Sequence, residues 1–348
     1  MPNESYAKAG VDLVKVRRMQ RQLGEMMGTT FAFRRGMPGA PARPIGHYAG
    51  VIDIGGGELL TLHTDGVGTK VLVAQQMKRF DTVGIDCVAM TVNDLICLGS
   101  EPVALLDYIA LQTEDDALVE DLGKGLVEGA RIASVAIVGG ETAVMKGVIK
   151  GVGGRGFDLA AMGVGLVKAK DVIDGSGITE GDAILGVASS GLHSNGYTLA
   201  RKVLRGLPLD EKVEGLNSTL GDALLEPTSI YVRPTIEAAR RLDVHGIAHI
   251  TGGSFSKLTR LAPGRDLLFD IALPPPAGIF KLLGEKGGIS EREMFSTFNM
   301  GIGLCLCLPE GELKRAARTF DASGFRARRI GTVRRGKGVT VNGILLGE

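Results

Sequence analysis

The chain has 348 residues, 44% of them hydrophobic, which predicts about two folded domains and excludes a disordered or fibrous protein. Its net charge of +1 provides no overall field for nucleic acid or for an anionic membrane. Aromatic residues make up 5% of the chain and Trp is absent, which argues against a base-stacking platform for nucleic acid. The sequence shows no signal pattern and no long apolar run, so it predicts a soluble, cytoplasmic protein without membrane contact.

The first half of the chain predicts strands alternating with helices. Residues 36–44 are rich in Gly and Pro and predict a mobile loop. Apolar residues at helical spacing over 82–98 give the clearest helix. In chain order, the predicted elements are strands over 48–54 and 59–63, a helix over 82–98, a strand over 103–110, a helix over 115–132, and strands over 135–138 and 158–167.

The second half begins after a polar, Gly-rich stretch over 168–182, which predicts a linker. We therefore expect domains over 1–168 and 169–348, both with mixed α/β layers of the α+β class. In chain order, the predicted elements are a strand over 183–188, helices after Asn195 and Pro227, a strand over 267–273, a helix over 278–283, a strand over 302–308, a helix over 310–320 and a strand over 326–333.

The segment TDGVGTK (64–70) combines an acid, two glycines, a hydroxyl and a lysine. Such a set offers a metal ligand, free backbone N–H groups and a cation, which together can hold a polyphosphate with Mg²⁺. The order of residues does not match a Walker A loop. A simple Gly turn with a surface lysine is the alternative interpretation.

Asp86, Asn93 and Asp94 interrupt the apolar pattern of the helix that follows. At 100° per residue, all three can face one site, where two carboxylates near Asp65 would make a divalent-metal cluster. The alternative is an ordinary solvated edge of an amphipathic helix.

Two further Gly-rich segments lie in the first half. GGETA (139–143) follows an apolar run, which predicts an acid at the carboxyl end of a strand; a structural turn is the alternative. GVGGRG (151–156) matches the spacing of a dinucleotide-binding loop but precedes a strand, so we reject that function.

In the second half, SSGLHSNG (189–196) lies between a predicted strand and a helix. Small hydroxyls and glycines in this position suit a phosphate monoester, although Ser194 or Asn195 could be a simple N-cap. HITGG (249–253) is a second hydroxyl-glycine turn. Cys305 and Cys307 lack partners for a tetrahedral metal site, so we predict buried small side chains.

Taken together, these segments resemble the phosphoribosylformylglycinamidine cyclo-ligase family of purine biosynthesis. TDGVGTK alone is typical of a wider ATP-using superfamily that includes thiamine-monophosphate kinase, which is the alternative function. The resemblance departs from the family pattern in residues 36–50, in Val144 and Lys146, and in Ser254. The matching segments are YAKAGVDL (6–13), TDGVGTK (64–70), GIDCVAMTVNDL (84–95), LDYIA (106–110), GGETA (139–143), SSGLHSNGYTL (189–199), HITGG (249–253) and FNMGIG (298–303).

The resemblance implies ATP-dependent ring closure of formylglycinamidine ribonucleotide to aminoimidazole ribonucleotide, with ADP and phosphate released. It also implies a homodimer in which N-terminal strands of both chains build a shared β-barrel, with nucleotide bound near that interface.

Site residues follow from the same resemblance. Asp65 and Asp94 are expected to bind Mg²⁺, and His193, Lys70 and Asp94 to be catalytic. The residues expected to bind ATP are Asp65, Gly66, Gly68, Thr69, Lys70, Asp86, Gly139, Gly140 and Glu141. The residues expected to bind the substrate are Ser190, Gly191, Ser194, Asn195, Thr251 and Gly252.

Overall fold

The computed structural model describes residues 4–346, which form two mixed α/β layers around two sheets. The first sheet is antiparallel except for one parallel pair, β4 with β5. Its strands are β1 (Ala40–Pro41), β2 (Gly50–Gly55), β3 (Glu58–Gly66), β4 (Glu101–Leu111), β5 (Ala136–Val144) and β6 (Phe157–Lys168), in the order β1-β2-β3-β6-β4-β5.

The second sheet is formed after the chain leaves β6, so the predicted linker separates the strands of the two sheets. Cys305 and Cys307 are buried with free thiols in its strand β10, as the sequence predicts. The strands are β7 (Ala183–Ala188), β8 (Gly246–His249), β9 (Leu267–Ile271), β10 (Ile302–Leu308), β11 (Ala327–Arg335), β12 (Gly338–Val341) and β13 (Ile344–Leu345), in the order β13-β12-β9-β11-β7-β10-β8.

Helices cover the sheets. No helix in the described part of the chain is both long and apolar enough to cross a bilayer. The helices are α1 (Leu13–Gly28), α2 (Val71–Met77), α3 (Asp81–Leu95), α4 (Asp116–Ala133), α5 (Tyr197–Val203), α6 (Leu220–Leu225), α7 (Val232–Arg241), α8 (Gly278–Gly287), α9 (Glu291–Thr297) and α10 (Leu313–Ala322).

Helices α3 and α4 pack closely because glycines lie at their contact. A Cβ on Gly125 would lie 1.9 Å from the backbone oxygen of Asp81, so no larger residue fits there without movement. Nearly all of α3 is buried, which explains its apolar sequence. The predicted helix over 82–98 is confirmed as α3 followed by a 3-10 turn over Ile96–Leu98.

The predicted loop over residues 36–44 is confirmed except at Ala40 and Pro41, which pair antiparallel with β2 at the sheet edge, where the missing N–H of proline is tolerated. One prediction about local structure is wrong. GGETA does not follow a strand but lies within β5. The parallel ladder continues through it because Gly140 leaves room for Asp107; a Cβ there would lie 2.2 Å from the Asp107 carboxylate.

The N-terminal segment contacts the second half of the chain. Tyr6 N donates to Glu293 at 2.6 Å, and Lys202 is ion-paired with Glu4 at 2.7 Å. Helix α1, which the sequence analysis did not identify, follows this segment and is largely exposed. The predicted boundary at 168 therefore divides the strands of the two sheets. Residues before it still contact residues after it, as the N-terminal segment shows.

Candidate active site

The centre of the candidate site is a carboxylate held between two histidines. Asp94 on α3 accepts a hydrogen bond at 2.7 Å from Nδ1 of His249, the last residue of β8. His63 Nε2 on β3 lies 3.3 Å from the second oxygen of Asp94 and 4.0 Å from Asp65. The cluster therefore joins one strand of each sheet through α3.

The electrostatics of this cluster favour an ionised Asp94. Burial would raise the pKa of the Asp94 carboxyl, but Lys257 and the two histidines outweigh it and hold that pKa below its usual range. For His249, burial dominates and lowers the pKa. Burial would also lower the pKa of His63, but Asp65 and Asp94 raise it above its ordinary value.

The donor set fits a Mg²⁺ ion that is bound together with phosphates. Asp65 and Asp94 both approach His63 Nε2, a buried nitrogen with no hydrogen-bond partner among residues 4–346. Mg²⁺ is commonly held by one or two carboxylates, with phosphate oxygens and water completing its shell. In the described chain, no group of three or more His, Cys, Asp or Glu side chains could hold a metal ion. The other ligands would have to come from nucleotide and solvent.

Lys70 and Asp86 form a buried ion pair instead of facing an open site. Lys70 Nζ lies 2.9 and 2.8 Å from the two Asp86 oxygens and donates to the Glu226 backbone oxygen at 2.7 Å. Thr228 donates to Asp86 through both its N–H and its hydroxyl. Burial lowers the pKa of Lys70, although Asp86 opposes that effect. The roles predicted for Lys70 and Asp86 in ATP binding are corrected, because neither side chain is accessible.

The three polar residues of α3 do not meet at one site. Asn93 donates to the Ser229 backbone oxygen at 2.8 Å and accepts from Tyr231 N at 3.0 Å. Asn93 Nδ2 also lies 3.5 Å from His249 Nε2, so Asn93 and Asp94 both contact the histidine cluster, whereas Asp86 does not reach it. The prediction of a shared metal site for Asp86, Asn93 and Asp94 is wrong, since the first two hold the segment before α7.

The TDGVGTK segment forms the end of β3 and a 3-10 turn over Gly68–Lys70. Asp65 is partly exposed and accepts a hydrogen bond from Gly66 N at 2.7 Å. Gly68 has a positive φ of 66°, and no atom lies within 4 Å of where its Cβ would be. Thr69 Oγ1 lies 3.2 Å from Thr198 Oγ1 on α5. This turn therefore brings the first half of the chain to the start of α5.

The SSGLHSNG segment links β7 to α5, as predicted. Ser190 donates to the Pro227 backbone oxygen at 2.6 Å, and the Ser194 hydroxyl lies 3.0 Å from that of Thr228. The N-cap of α5 is Gly196, with no side-chain capping bond, so the simple N-cap alternative for Ser194 and Asn195 is wrong.

The two loops of the second half meet at Asn195. A Cβ placed on Gly252 would lie 2.9 Å from the Asn195 side-chain oxygen, so the glycine is required for this close approach. Thr251 is buried and Gly252 is exposed. Asn195, Thr251 and Gly252 therefore lie together beside the His249 cluster.

His193 is buried within its loop at a positive φ of 61°. Its Nε2 lies 3.4 Å from Ser190 N, which donates to it, and its Nδ1 has no partner among residues 4–346. Burial, followed by His249 and Lys70, lowers the pKa of His193 well below its ordinary value. The imidazole is therefore neutral near pH 7, which favours loop support over general acid catalysis.

Comparison with known proteins agrees with the sequence motifs. Residues 46–167 match the N-terminal domain of AIR synthase related proteins, and residues 179–344 match their C-terminal domain. The phosphoribosylformylglycinamidine cyclo-ligase of Thermococcus kodakarensis is 48% identical over 91% of this chain and 92% of its own length. The corresponding protein of Methanosarcina mazei is 44% identical over 90% of this chain and 91% of its own length. This chain belongs to the phosphoribosylformylglycinamidine cyclo-ligase family.

Solved structures share the fold of this cyclo-ligase family member at much lower identity. AaThiL complexed with AMPPCP and TMP has a TM-score of 0.64 and 18% identity, over 86% of this chain and 89% of that chain. Hydrogenase maturation protein HypE in complex with ATP has a TM-score of 0.60 and 21% identity, over 81% of each chain. These similarities show a shared fold, and the resemblance inferred from the motifs is confirmed by the closer relatives.

One predicted group is not brought together with the others in this cyclo-ligase family member. Glu141 is exposed on the edge strand β5, and β6 and β4 lie between that strand and β3. Strands about 4.8 Å apart place β5 roughly 14 Å from β3. Gly139, Gly140 and Glu141 therefore do not join Asp65 within one copy of the chain.

Three further residues at this site, Lys257, Tyr48 and Thr228, were not predicted from the sequence. Lys257 donates to Thr251 Oγ1, and the Tyr48 hydroxyl donates to the Lys257 backbone oxygen at 3.2 Å. Lys257 lies six residues after Thr251, a spacing that signals contact only once the segment is known to form a 3-10 helix over Ser254–Leu261. Tyr48 and Thr228 carried no motif that could have identified them.

Proposed function

We propose that this chain closes the imidazole ring of aminoimidazole ribonucleotide from formylglycinamidine ribonucleotide and ATP. The observation that carries the proposal is the pairing of Asp94 with His249, which places the acid of the first half beside the HITGG turn of the second. The cyclo-ligase relatives, at 48% and 44% identity over most of the chain, support the same activity. The kinase alternative rests on shared fold alone.

The chemistry needs an activated leaving group, because an amide oxygen leaves poorly. The bond from the γ-phosphorus to the bridging oxygen of ATP breaks, ADP departs with the electron pair, and the γ-phosphorus bonds to the formyl oxygen. The amidine nitrogen then attacks the activated carbon and loses a proton to solvent, and phosphate leaves as the ring forms. Protein groups contribute mainly positioning and charge neutralisation.

The nucleotide side of this site is proposed to lie at the end of β3. Asp65 and Asp94 would hold Mg²⁺, which when bound neutralises charge on the phosphates. Backbone N–H groups of Gly68 and Thr69 would contact the ATP phosphates, because the open space at Gly68 allows close approach, whereas the N–H of Gly66 is already bonded to Asp65. These roles are supported by the donor set and by the partial exposure of Asp65.

The substrate side is proposed to lie where the two second-half loops meet. The exposed or partly exposed residues of these loops would bind the 5′-phosphate and ribose of the substrate. The buried hydroxyl groups would hold the two loops in position. The proposed residues are Ser190, Gly191, Ser194, Asn195, Thr251 and Gly252.

We further propose a homodimer in which the first sheets of two copies close a shared barrel. Exposed apolar side chains on β4, β5 and β6 support this dimer. An edge strand such as β5 also has unpaired backbone N–H and C=O groups that can lead to aggregation, and closing the barrel would pair them. Gly139, Gly140 and Glu141 would then lie at the interface, near the nucleotide. The exposed apolar residues are Val103, Leu106, Tyr108, Val138 and Leu166.

The activity is tested by incubating the purified chain with ATP, Mg²⁺ and formylglycinamidine ribonucleotide. We expect aminoimidazole ribonucleotide, measured by diazo coupling of its amine, to form in step with phosphate release. Thiamine monophosphate in place of the substrate is expected to give no ATP turnover. Turnover with thiamine monophosphate and none with the ribonucleotide would replace the proposed reaction with the kinase reaction.

A further inference from the structure

Phosphoryl transfer requires a cation close to the moving phosphoryl group, and Lys70 does not supply one. Its Nζ lies within 2.7 to 2.9 Å of Asp86 and the Glu226 backbone oxygen, and its side chain is fully buried. All three donors of the ammonium are therefore used. Lys70 ties α2 to the segment before α7 and has no donor left for a phosphate.

Lys257 differs from Lys70 in each of these respects. It lies four residues after the HITGG turn, within the 3-10 helix over Ser254–Leu261, and it is partly exposed. Among residues 4–346, its Nζ has one hydrogen-bond partner, the hydroxyl of Thr251. An ammonium has three donors, so two remain for a ligand.

The position of the Lys257 side chain is fixed by Tyr48. Its Nζ lies 5.6 Å from the centroid of the buried Tyr48 ring, a cation–π distance, and the Tyr48 hydroxyl donates to the Lys257 backbone oxygen. One aromatic residue thus supports both the backbone and the charged end of the lysine. Such support holds the ammonium in place before a ligand arrives, which reduces the entropy lost on binding.

Lys257 also lies between the two halves of the proposed site. It is the foremost positive group acting on Asp94, whose carboxyl is proposed to hold Mg²⁺. On the other side it contacts Thr251, whose buried hydroxyl is proposed to fix the loop that holds the substrate. A phosphoryl group that moves from the nucleotide to the substrate would pass this ammonium.

We infer that Lys257 is the cation that contacts the transferring phosphoryl group, an inference that rests on the proposed function. While the bond to the bridging oxygen of ATP breaks and the bond to the formyl oxygen forms, negative charge is spread over the other phosphoryl oxygens. The two free donors of Lys257 stabilise that charge. The sequence-based assignment of this role to Lys70 is thereby replaced.

Arg260 provides a position-matched control. It lies one helical turn further along the same 3-10 helix, and its guanidinium is 5.5 Å from the same Tyr48 ring. It lines a separate cavity of about 620 Å³ together with Arg43 and Ile45. Removing its charge therefore perturbs the same ring and helix without removing the ammonium at Thr251.

The kinetic test compares Lys257→Met, Lys257→Arg and Arg260→Met. We expect kcat for ring closure to fall by about 10²- to 10³-fold in Lys257→Met, the cost typical of one lost electrostatic contact in a transition state. Lys257→Arg is expected to retain more activity than Lys257→Met, and Arg260→Met to remain near wild type. Equal losses in Lys257→Met and Arg260→Met would show a structural effect on Tyr48 and overturn the inference.

A binding test separates this inference from the proposed function. Calorimetry measures ADP affinity with and without aluminium fluoride, which mimics a phosphoryl group in transfer. We expect ADP alone to bind wild type and Lys257→Met equally, and aluminium fluoride to tighten binding only in wild type. Tightening in both proteins, or in neither, overturns the role of Lys257. Absence of ring-closed product with wild type, in contrast, refutes the proposed function and leaves the binding result to be judged by itself.

Discussion

Asp94 Oδ1 and His249 Nδ1 lie 2.7 Å apart and join α3 to the last residue of β8. Both side chains are buried, so the bond is shielded from solvent and from salt. The pair fixes the HITGG turn relative to the end of β3, where Asp65 lies. This bond therefore helps to set the spacing between the proposed nucleotide and substrate halves, together with the contacts of Asp86 with Thr228 and of Asn93 with Tyr231.

Asp65→Asn and Asp94→Asn are both expected to abolish ATP-dependent turnover, because each removes a charged oxygen from the proposed Mg²⁺ site. They are expected to differ in stability. Asp65 is partly exposed, so its variant should unfold as wild type does, whereas breaking the buried Asp94 pair should cost about 3 kcal/mol. Chemical unfolding and phosphate release measure the two effects. Normal turnover in both variants at saturating Mg²⁺ would reject the metal assignment.

The pH dependence of the Asp94→Asn effect has a definite sign. The folded-state pKa of Asp94 is lowered, so its contribution to stability is present above its unfolded pKa, about 3.9, and is lost as pH falls through the folded value. The difference in unfolding free energy between wild type and Asp94→Asn should therefore shrink as pH falls below about 4, a range in which His63 no longer titrates. A difference that grows as pH falls from about 4 to about 2 would contradict an ionised Asp94.

Gly125→Ala tests the packing of α3 against α4. Because its new methyl group would lie 1.9 Å from Asp81 O, the helices must separate, and we expect a loss of about 1–3 kcal/mol in unfolding free energy. Gly123→Ala on the same helix meets no atom within 4 Å and should be neutral or stabilising by up to about 1 kcal/mol. Urea unfolding of both variants measures the contrast, and equal effects would refute the close contact.

The sequence predicted long elements well because their apolar periodicity reflects burial. Helix α3 is one example, since its repeating apolar positions are the ones packed in the core. Helix α1 was missed although Val16, Met19, Leu23 and Met26 recur at helical spacing, and in this chain those side chains are exposed. Short strands such as β8 were missed because four residues carry too little pattern.

The candidate site was only partly predictable for a different reason. Motifs identified the loops that meet, but spacing along the chain does not reveal which charged groups neutralise each other. The sequence does not show that Lys70 is paired with a carboxylate. In the fold, the buried Asp86 on α3 neutralises the positive charge of Lys70. Lys257 had no motif, and only the folded turn brings it to Thr251.

Light scattering at micromolar concentration tests the proposed homodimer. We expect the wild type to have the mass of two chains, and Val138→Asp to shift it toward one, because Val138 is 65% exposed on the edge strand β5. Val127→Asp is the control, since Val127 is 66% exposed on helix α4 and is not part of a strand. A monomer mass for wild type, or dissociation by both substitutions, would contradict an interface through that sheet.

His245→Gln is expected to show a stability loss that depends on pH. Burial would lower the pKa of His245, but its 2.7 Å contact with Asp182 and the nearby Asp243 raise it above the ordinary value. A raised pKa means that the stabilisation is fully present below the unfolded pKa of about 6.5 and is lost as pH rises through the folded value. The destabilisation caused by His245→Gln should therefore be larger at pH 6 than at pH 9. Thermal unfolding across that range measures it, and a loss that increases with pH would be inconsistent with the ion pair.

His193→Gln distinguishes a supporting histidine from an acid–base catalyst. Because burial lowers the pKa of His193 well below its ordinary value, the neutral imidazole is favoured, which lacks the extra proton that a general acid would give. Its Nε2 accepts from Ser190 N, so its loss should loosen the loop that is proposed to hold the substrate.

The two roles separate in the kinetics. Loss of loop support raises KM for the ribonucleotide at similar kcat, whereas loss of proton transfer lowers kcat by about 10²- to 10⁴-fold. We expect His193→Gln to raise KM, to keep kcat within about tenfold of wild type and to leave the pH–rate profile unchanged. KM for ATP should stay constant and serves as the internal control. A large fall in kcat, together with loss of one limb of the pH–rate profile, would instead make His193 an acid–base group despite its burial.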